Sequence, residues 1–115
     1  MTIINQIKNI KIKQGSSFND TFIVKDSSGD VQDLTSYTVE AKLARGYAST
    51  HTRTDFTAVI TSAAAGTITL SLSDQVTDNL DPHTRYVYDI VITYTDSTVT
   101  RVFEGIATVD PGVTI

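Results

Sequence analysis

Apolar residues along this chain recur mostly at every second position, in short runs separated by polar breaks. Ile7, Ile10 and Ile12 alternate with Lys and Asn and predict a first short strand, with the isoleucines on one face and polar residues on the other. Phe18, Phe22, Ile23 and Val24 form the next run, and Asp26-Ser-Ser-Gly-Asp30 closes it with turn chemistry. Tyr37, Val39, Ala41 and Leu43 alternate cleanly with Thr38, Glu40, Lys42 and Ala44. Phe56, Ala58 and Ile60, then Ile68, Leu70 and Leu72, repeat the same period of two, which is the signature of a half-buried strand. The longest signal is Arg85 to Tyr94, followed after Asp96-Ser97 by Thr98 to Val109. Both arms are rich in β-branched and aromatic residues, so they predict a long β-hairpin. Gly105 inside the second arm predicts a bulge or a close backbone approach. One stretch departs from the pattern. Ser73 to Leu80 predicts a single helical turn, with Ser73 as its cap and Val76 and Leu80 on one side. Leu34, in the loop from Val31 to Ser36, is expected to plug the core.

Seven short strands with turns between them predict an all-β fold, an immunoglobulin-like antiparallel β-sandwich with one short helical turn. The chain has 115 residues, within the usual range of one domain of about 100–150 residues. One sandwich domain is expected over 1–115, with 1–5 as an N-terminal arm and 110–115 as a C-terminal tail. Ser and Thr make up about a quarter of the chain, which suits exposed antiparallel sheets.

The net charge of −4 and the lack of cysteine narrow the chemistry. Without cysteine there is no disulfide framework, thiolate metal site or cysteine nucleophile. The one basic cluster is Lys8, Lys11 and Lys13, too little to read as a phosphate-neutralising patch. No nucleic-acid partner is expected. No apolar run approaches the ~20 residues of a membrane helix, and the start lacks the pattern of a signal peptide. Neither membrane insertion nor self-directed export is expected.

Candidate chemistry is sparse. His51 and His83 both fall in polar loops and read as exposed. Asp26, Asp30 and Asp33 cluster around Gly29, but without the spacing of a calcium loop they read as solvated turn acids. No nucleophile–base pair, paired carboxylate or phosphate loop stands out, so the expectation is no enzyme, no cofactor and no metal. Tyr86 and Tyr88 share parity with Tyr94 and are expected to point into the core, while Arg101 and Glu104 can pair on the last strand. Ile3, Ile4, Val113 and Ile115 are apolar for chain ends. They are expected to dock, either on the domain itself or on a neighbouring subunit, and Tyr47 beside Gly46 is the loop residue expected to face outward.

The order of signals resembles a phage pattern. Gln14-Gly15-Ser-Ser-Phe18 is followed by Thr21-Phe-Ile-Val-Lys-Asp26, Gly29 and Asp33-Leu-Thr-Ser-Tyr37. After Val39 to Leu43 come Gly66-Thr-Ile-Thr-Leu-Ser-Leu72, Tyr86-Val-Tyr-Asp-Ile90 and Gly105-Ile-Ala-Thr-Val-Asp-Pro-Gly-Val-Thr114. Over residues 10–114 this is similar to the immunoglobulin-like domain at the N-terminus of phage baseplate upper proteins, and to related small sandwich proteins of phage virions. The resemblance implies a non-enzymatic structural protein of a virion. Its partners would be other virion proteins, and it would be present in multiple copies or as a homo-oligomer. In baseplate upper proteins a stalk follows the domain. Here Ile115 is the last residue, so a stand-alone accessory role is expected, leaning to capsid decoration over neck, tail or baseplate adapter. The competing expectation is an adhesion module for surface glycans, built on Tyr47 and the loops 46–55 and 81–85.

Overall fold

The computed structural model describes residues 3–46, 48, 51–82 and 84–112. Tyr47, His83, Val113 and Ile115 lie outside the described residues. Nine strands and one helix follow in order: β1 (Gln6–Ile7), β2 (Ile10–Lys13), β3 (Phe18–Ile23), β4 (Thr38–Ala44), β5 (Thr54–Asp55), β6 (Thr57–Ser62), β7 (Thr67–Leu72), α1 (Asp74–Asp78), β8 (Tyr86–Thr93) and β9 (Val99–Asp110). They form two sheets. The larger has the order β1-β9-β8-β4-β5 with β2 also on β9, and the smaller the order β3-β7-β6. The molecule is an immunoglobulin-like β-sandwich, and the nine strands reduce to the seven expected segments. Two of those segments are each broken in two.

The first break lies between β1 and β2. Ile10 and Ile12 are buried, but Ile7 is 78 % exposed, which corrects the expectation that the three isoleucines share a face. Ile7 stands three residues from Ile10, so its parity is opposite. Both pieces run parallel to β9 in one unbroken register, Gln6 opposite Phe103 and Ile10 opposite Ala107. Between them, the Asn9 side-chain oxygen accepts from the Ile106 N–H at 3.0 Å. Gly105 faces the Lys8 carbonyl so closely that a Cβ there would overlap it.

The second break is a change of sheet. β5 pairs with β4, whereas β6 pairs with β7. Phe56 is the crossing residue: its N–H donates to the Ala41 carbonyl at 3.0 Å while its ring is buried. The hairpin of β8 and β9 forms as the sequence predicts, with Ser97 in the left-handed region at φ 72°. A register shift opposite Ile90 and Val91 makes Val102 an extra residue, so Val102 and Phe103 are buried side by side.

The core runs between the sheets. Ring pairs link Phe18 to Phe56 (5.9 Å), Phe56 to Tyr88 (6.1 Å), Tyr88 to Phe22 (6.2 Å) and Phe22 to Phe103 (5.0 Å). Leu34 is buried, as its loop position predicts, and its N–H donates to Ala63. Tyr86 and Tyr88 are also buried. The Tyr86 hydroxyl accepts from the Asp81 N–H, five residues back, at 2.9 Å. This is the tyrosine corner of immunoglobulin-type sandwiches. Tyr88, two residues on, stands where antibody domains place the second cysteine of their inter-sheet disulfide. Here a tyrosine facing Phe22 joins the sheets instead.

Candidate functional site

Polar side chains gather at the end of the sandwich where the β4–β5 loop meets the segment after α1. α1 is set by its cap: Ser73 accepts from the Val76 N–H at 3.3 Å, with Asp74 in the first turn. Thr77 of α1 is fully buried. Its hydroxyl donates to the Ser16 carbonyl at 2.8 Å and accepts from the Gly15 N–H at 3.1 Å. Those bonds lash the helix to the turn after β2. After α1 the chain bends back through Asp81, whose carboxylate accepts from the Thr84 hydroxyl at 2.8 Å and lies 3.6 Å from the Arg45 guanidinium.

On the other side the loop after β4 is organised by Arg53. One guanidinium nitrogen donates to the carbonyls of Gly46 (3.4 Å), Ala48 (3.0 Å) and His51 (3.2 Å). His51 is exposed and its imidazole lies against Gly46, where a Cβ would come within 3.1 Å of Nε2. Between the two segments is an open cleft of about 390 Å³ lined by Arg45, His51, Thr52, Thr54, Asn79, Leu80 and Tyr86. It offers hydrogen-bond donors and hydroxyls. That equipment suits holding a polar ligand.

The acidic loop 26–33 is used internally. The Asp26 carboxylate accepts from the N–H groups of Ser28 (2.8 Å) and Asp30 (3.3 Å). Asp33 accepts from the Thr35 hydroxyl (2.6 Å) and N–H (2.9 Å), and these bonds hold its carboxyl below the usual carboxylate range. Asp96 is lowered in the same way by Thr98. Among the described residues, no three His, Asp or Glu side chains stand close enough together to hold a metal ion. The Tyr88 hydroxyl is raised far above its ordinary range, first by burial and then by the nearby Asp20 charge.

The chain-end residues divide. Ile3 is half-buried against the core and pairs antiparallel with Asp26; the N–H of Ile4 donates to the Lys25 carbonyl at 3.1 Å. Within the single chain, Ile3 and Ile4 lie against their own domain. Tyr47, Val113 and Ile115, expected as subunit contacts, lie outside the described residues, as does His83. At the far end of the sandwich the rings of Tyr37 and Tyr94 meet at a tilt, centroids 4.8 Å apart, with Tyr94 41 % exposed.

The two outer faces differ sharply in charge. The larger sheet carries ion pairs: Lys42 with Glu40 (3.3 Å) and Asp55 (3.4 Å), and Arg101 with Asp89 (3.4 Å) and Glu104 (4.0 Å). Hydrogen bonds to Glu40 and then Asp55 raise the Lys42 ammonium above its ordinary value. On the smaller sheet the outward positions are Asn19, Thr21 and Ile23, then Thr67, Thr69 and Ser71, then Thr57, Val59 and Thr61. All nine are uncharged. Sequence reading missed this face, and it marked the loops 46–55 and 81–85 beside the cleft without its lining. The face shows as the Thr-x-Thr alternation of 67–71, but its neutrality needs the register of three strands.

No family model matches the chain, and neither does any curated protein. Among solved structures, murine CRIg is similar, with a TM-score of 0.42 at 10 % sequence identity over 97 % of this chain and 98 % of that one.

Proposed function

We propose that this chain is a non-enzymatic structural subunit of a bacteriophage particle, a sandwich module that binds other virion proteins in many copies, with decoration of the capsid as the leading position. The observation that supports it is the use made of the motif residues that carry the phage resemblance. Gln14 donates to the carbonyls of Asp78 and Leu80, Gly15 to Thr77, and Leu34, Tyr86 and Tyr88 fill the core. Each shapes the fold, and none points a reactive group at solvent. Contacts with neighbours come in this reading from the strand edges, from Tyr47, and from Val113 and Ile115. Ile3 and Ile4 hold the arm to its own domain. Mass spectrometry of purified particles that carry this sequence tests it: the chain is expected at high, fixed copy number, and its absence from the particle overturns the reading.

The cleft beside His51 favours one second reading, adhesion to a surface glycan. It is lined by His51, Thr52 and Thr54 of the loop 46–55 and by Asn79, Leu80 and Tyr86, which flank the loop 81–85, and Arg45, Thr52, Thr54 and Asn79 provide polar contacts. A glycan array with the intact protein, repeated with Arg45→Ala, tests it. Hits that vanish in the variant support adhesion, and an empty array removes it.

A further inference from the structure

Of the outer edges at β2, β5, β3 and β6, three are guarded among the described residues. The outer edge at β2 presents the exposed lysines Lys11 and Lys13, which discourage pairing. β5 is only two residues long, and Asp55 is tied to Lys42. The outer edge of β3 is capped by side chains: Lys8 donates to the Thr21 carbonyl at 3.1 Å and Gln6 to the Ile23 carbonyl at 3.0 Å. Lys8 also reaches Asp20 at 3.4 Å and lies over the Phe22 ring. β6 has no such guard. Its sequence, Thr-Ala-Val-Ile-Thr-Ser, holds no charge, proline or glycine. Among the described residues, no group caps its outer backbone edge, and Val59 on its outer face is half exposed.

We propose that β6 is a dimerisation edge whose occupant is the β6 of a second copy of this chain, paired antiparallel about a two-fold axis. The two small sheets then join into one six-stranded sheet, in the order β3-β7-β6 and its inverse. The register shift at Thr61 limits the regular edge to Thr57–Ile60. Inward and outward positions must match across the seam, so the axis passes through Ala58 or Val59. An antiparallel edge of this kind is self-complementary, as a two-fold interface requires. Charge selects the same surface. Each copy carries a net charge of −4, and the face flanking β6 is the uncharged one, so two copies meet there without facing like charges. Assembly stops at two, because each outer β3 edge is capped by Lys8 and Gln6. The inference is independent of the virion reading, since the free protein can be a dimer whether or not a particle contains it.

The test is the mass of the intact protein in solution, by light scattering or sedimentation across a concentration series. A dimer is expected, and Val59→Lys is expected to convert it to a monomer with an unchanged circular dichroism spectrum. The natural chain has no cysteine, so introduced thiols report the register. Val59→Cys forms a disulfide dimer under mild oxidation if the axis is at Val59. A mixture of Thr57→Cys and Val59→Cys chains links if it is at Ala58. Thr21→Cys, on the capped strand, should link no faster than random collision. A monomer at all concentrations, a dimer untouched by Val59→Lys, open-ended growth, or failure of both cysteine arms overturns the proposal.

Discussion

Gly105 of β9 packs directly against the backbone carbonyl of Lys8, in the gap where β1 gives way to β2. The contact is backbone on backbone, so no side chain can swing aside to make room. Gly105→Ala is expected to destabilise the fold by about 3 kcal/mol, the upper part of the range for overpacking. Gly29→Ala is the comparison. Nothing lies within 4 Å of a Cβ there, and only the left-handed φ of +83° is strained, which costs about 1–2 kcal/mol. Urea unfolding of the two variants should rank them in that order, and equal midpoints would show that β1 and β2 can move away from β9.

The same Lys8 carbonyl accepts the hydroxyl of Tyr88. Tyr88→Phe leaves that buried carbonyl short of a partner and should cost about 1–3 kcal/mol. The pH dependence has a definite sign. Burial raises the folded-state pKa of Tyr88 above its ordinary 10.0. The neutral hydroxyl is therefore favoured in the folded state. Its contribution is complete below pH 10 and is lost as pH rises from 10 through the raised folded value. Thermal melts should show stability falling above pH 10 in the natural chain and falling less steeply in Tyr88→Phe. Parallel curves would mean that this hydroxyl does not report on folding.

Thr77 is the buried polar residue on which the helical turn depends. Thr77→Val keeps the shape but removes the donor to Ser16 and the acceptor for Gly15. The expected loss is about 1–3 kcal/mol. Hydrogen exchange should then show faster opening at Gly15 than in the β8–β9 hairpin. Uniform acceleration across the chain would instead mean that α1 and the Gly15 turn unfold only with the whole domain.

The period of two along the chain was enough to read the sandwich, because a strand with one face in the core must alternate. The buried faces of β7 and β8 follow that alternation, as does β4 until Ala44, which is buried beside Leu43, and Ser73 marked the start of α1 because an N-cap acts within one turn. One reading failed locally: Ile7 looked equivalent to Ile10 and Ile12, yet three residues separate it from Ile10, so an extended chain puts it on the opposite face. The other failures were non-local. Phe56 read as an ordinary strand residue, whereas it is the crossing between β5 and β6 and its N–H donates to Ala41 in the larger sheet. The polar cleft is assembled from residues 45–54 and 79–86, and neither segment alone announces it.

Alternation, caps and turn residues depend on neighbours within a few positions, so the amino-acid order alone determined the seven extended segments, the helical turn and most of the residues that enter the core. Only the tertiary structure decided which edges are guarded and which outer face carries charge. Both depend on backbone groups and side chains that meet across sheets, and those meetings have no signature in the local order of residues.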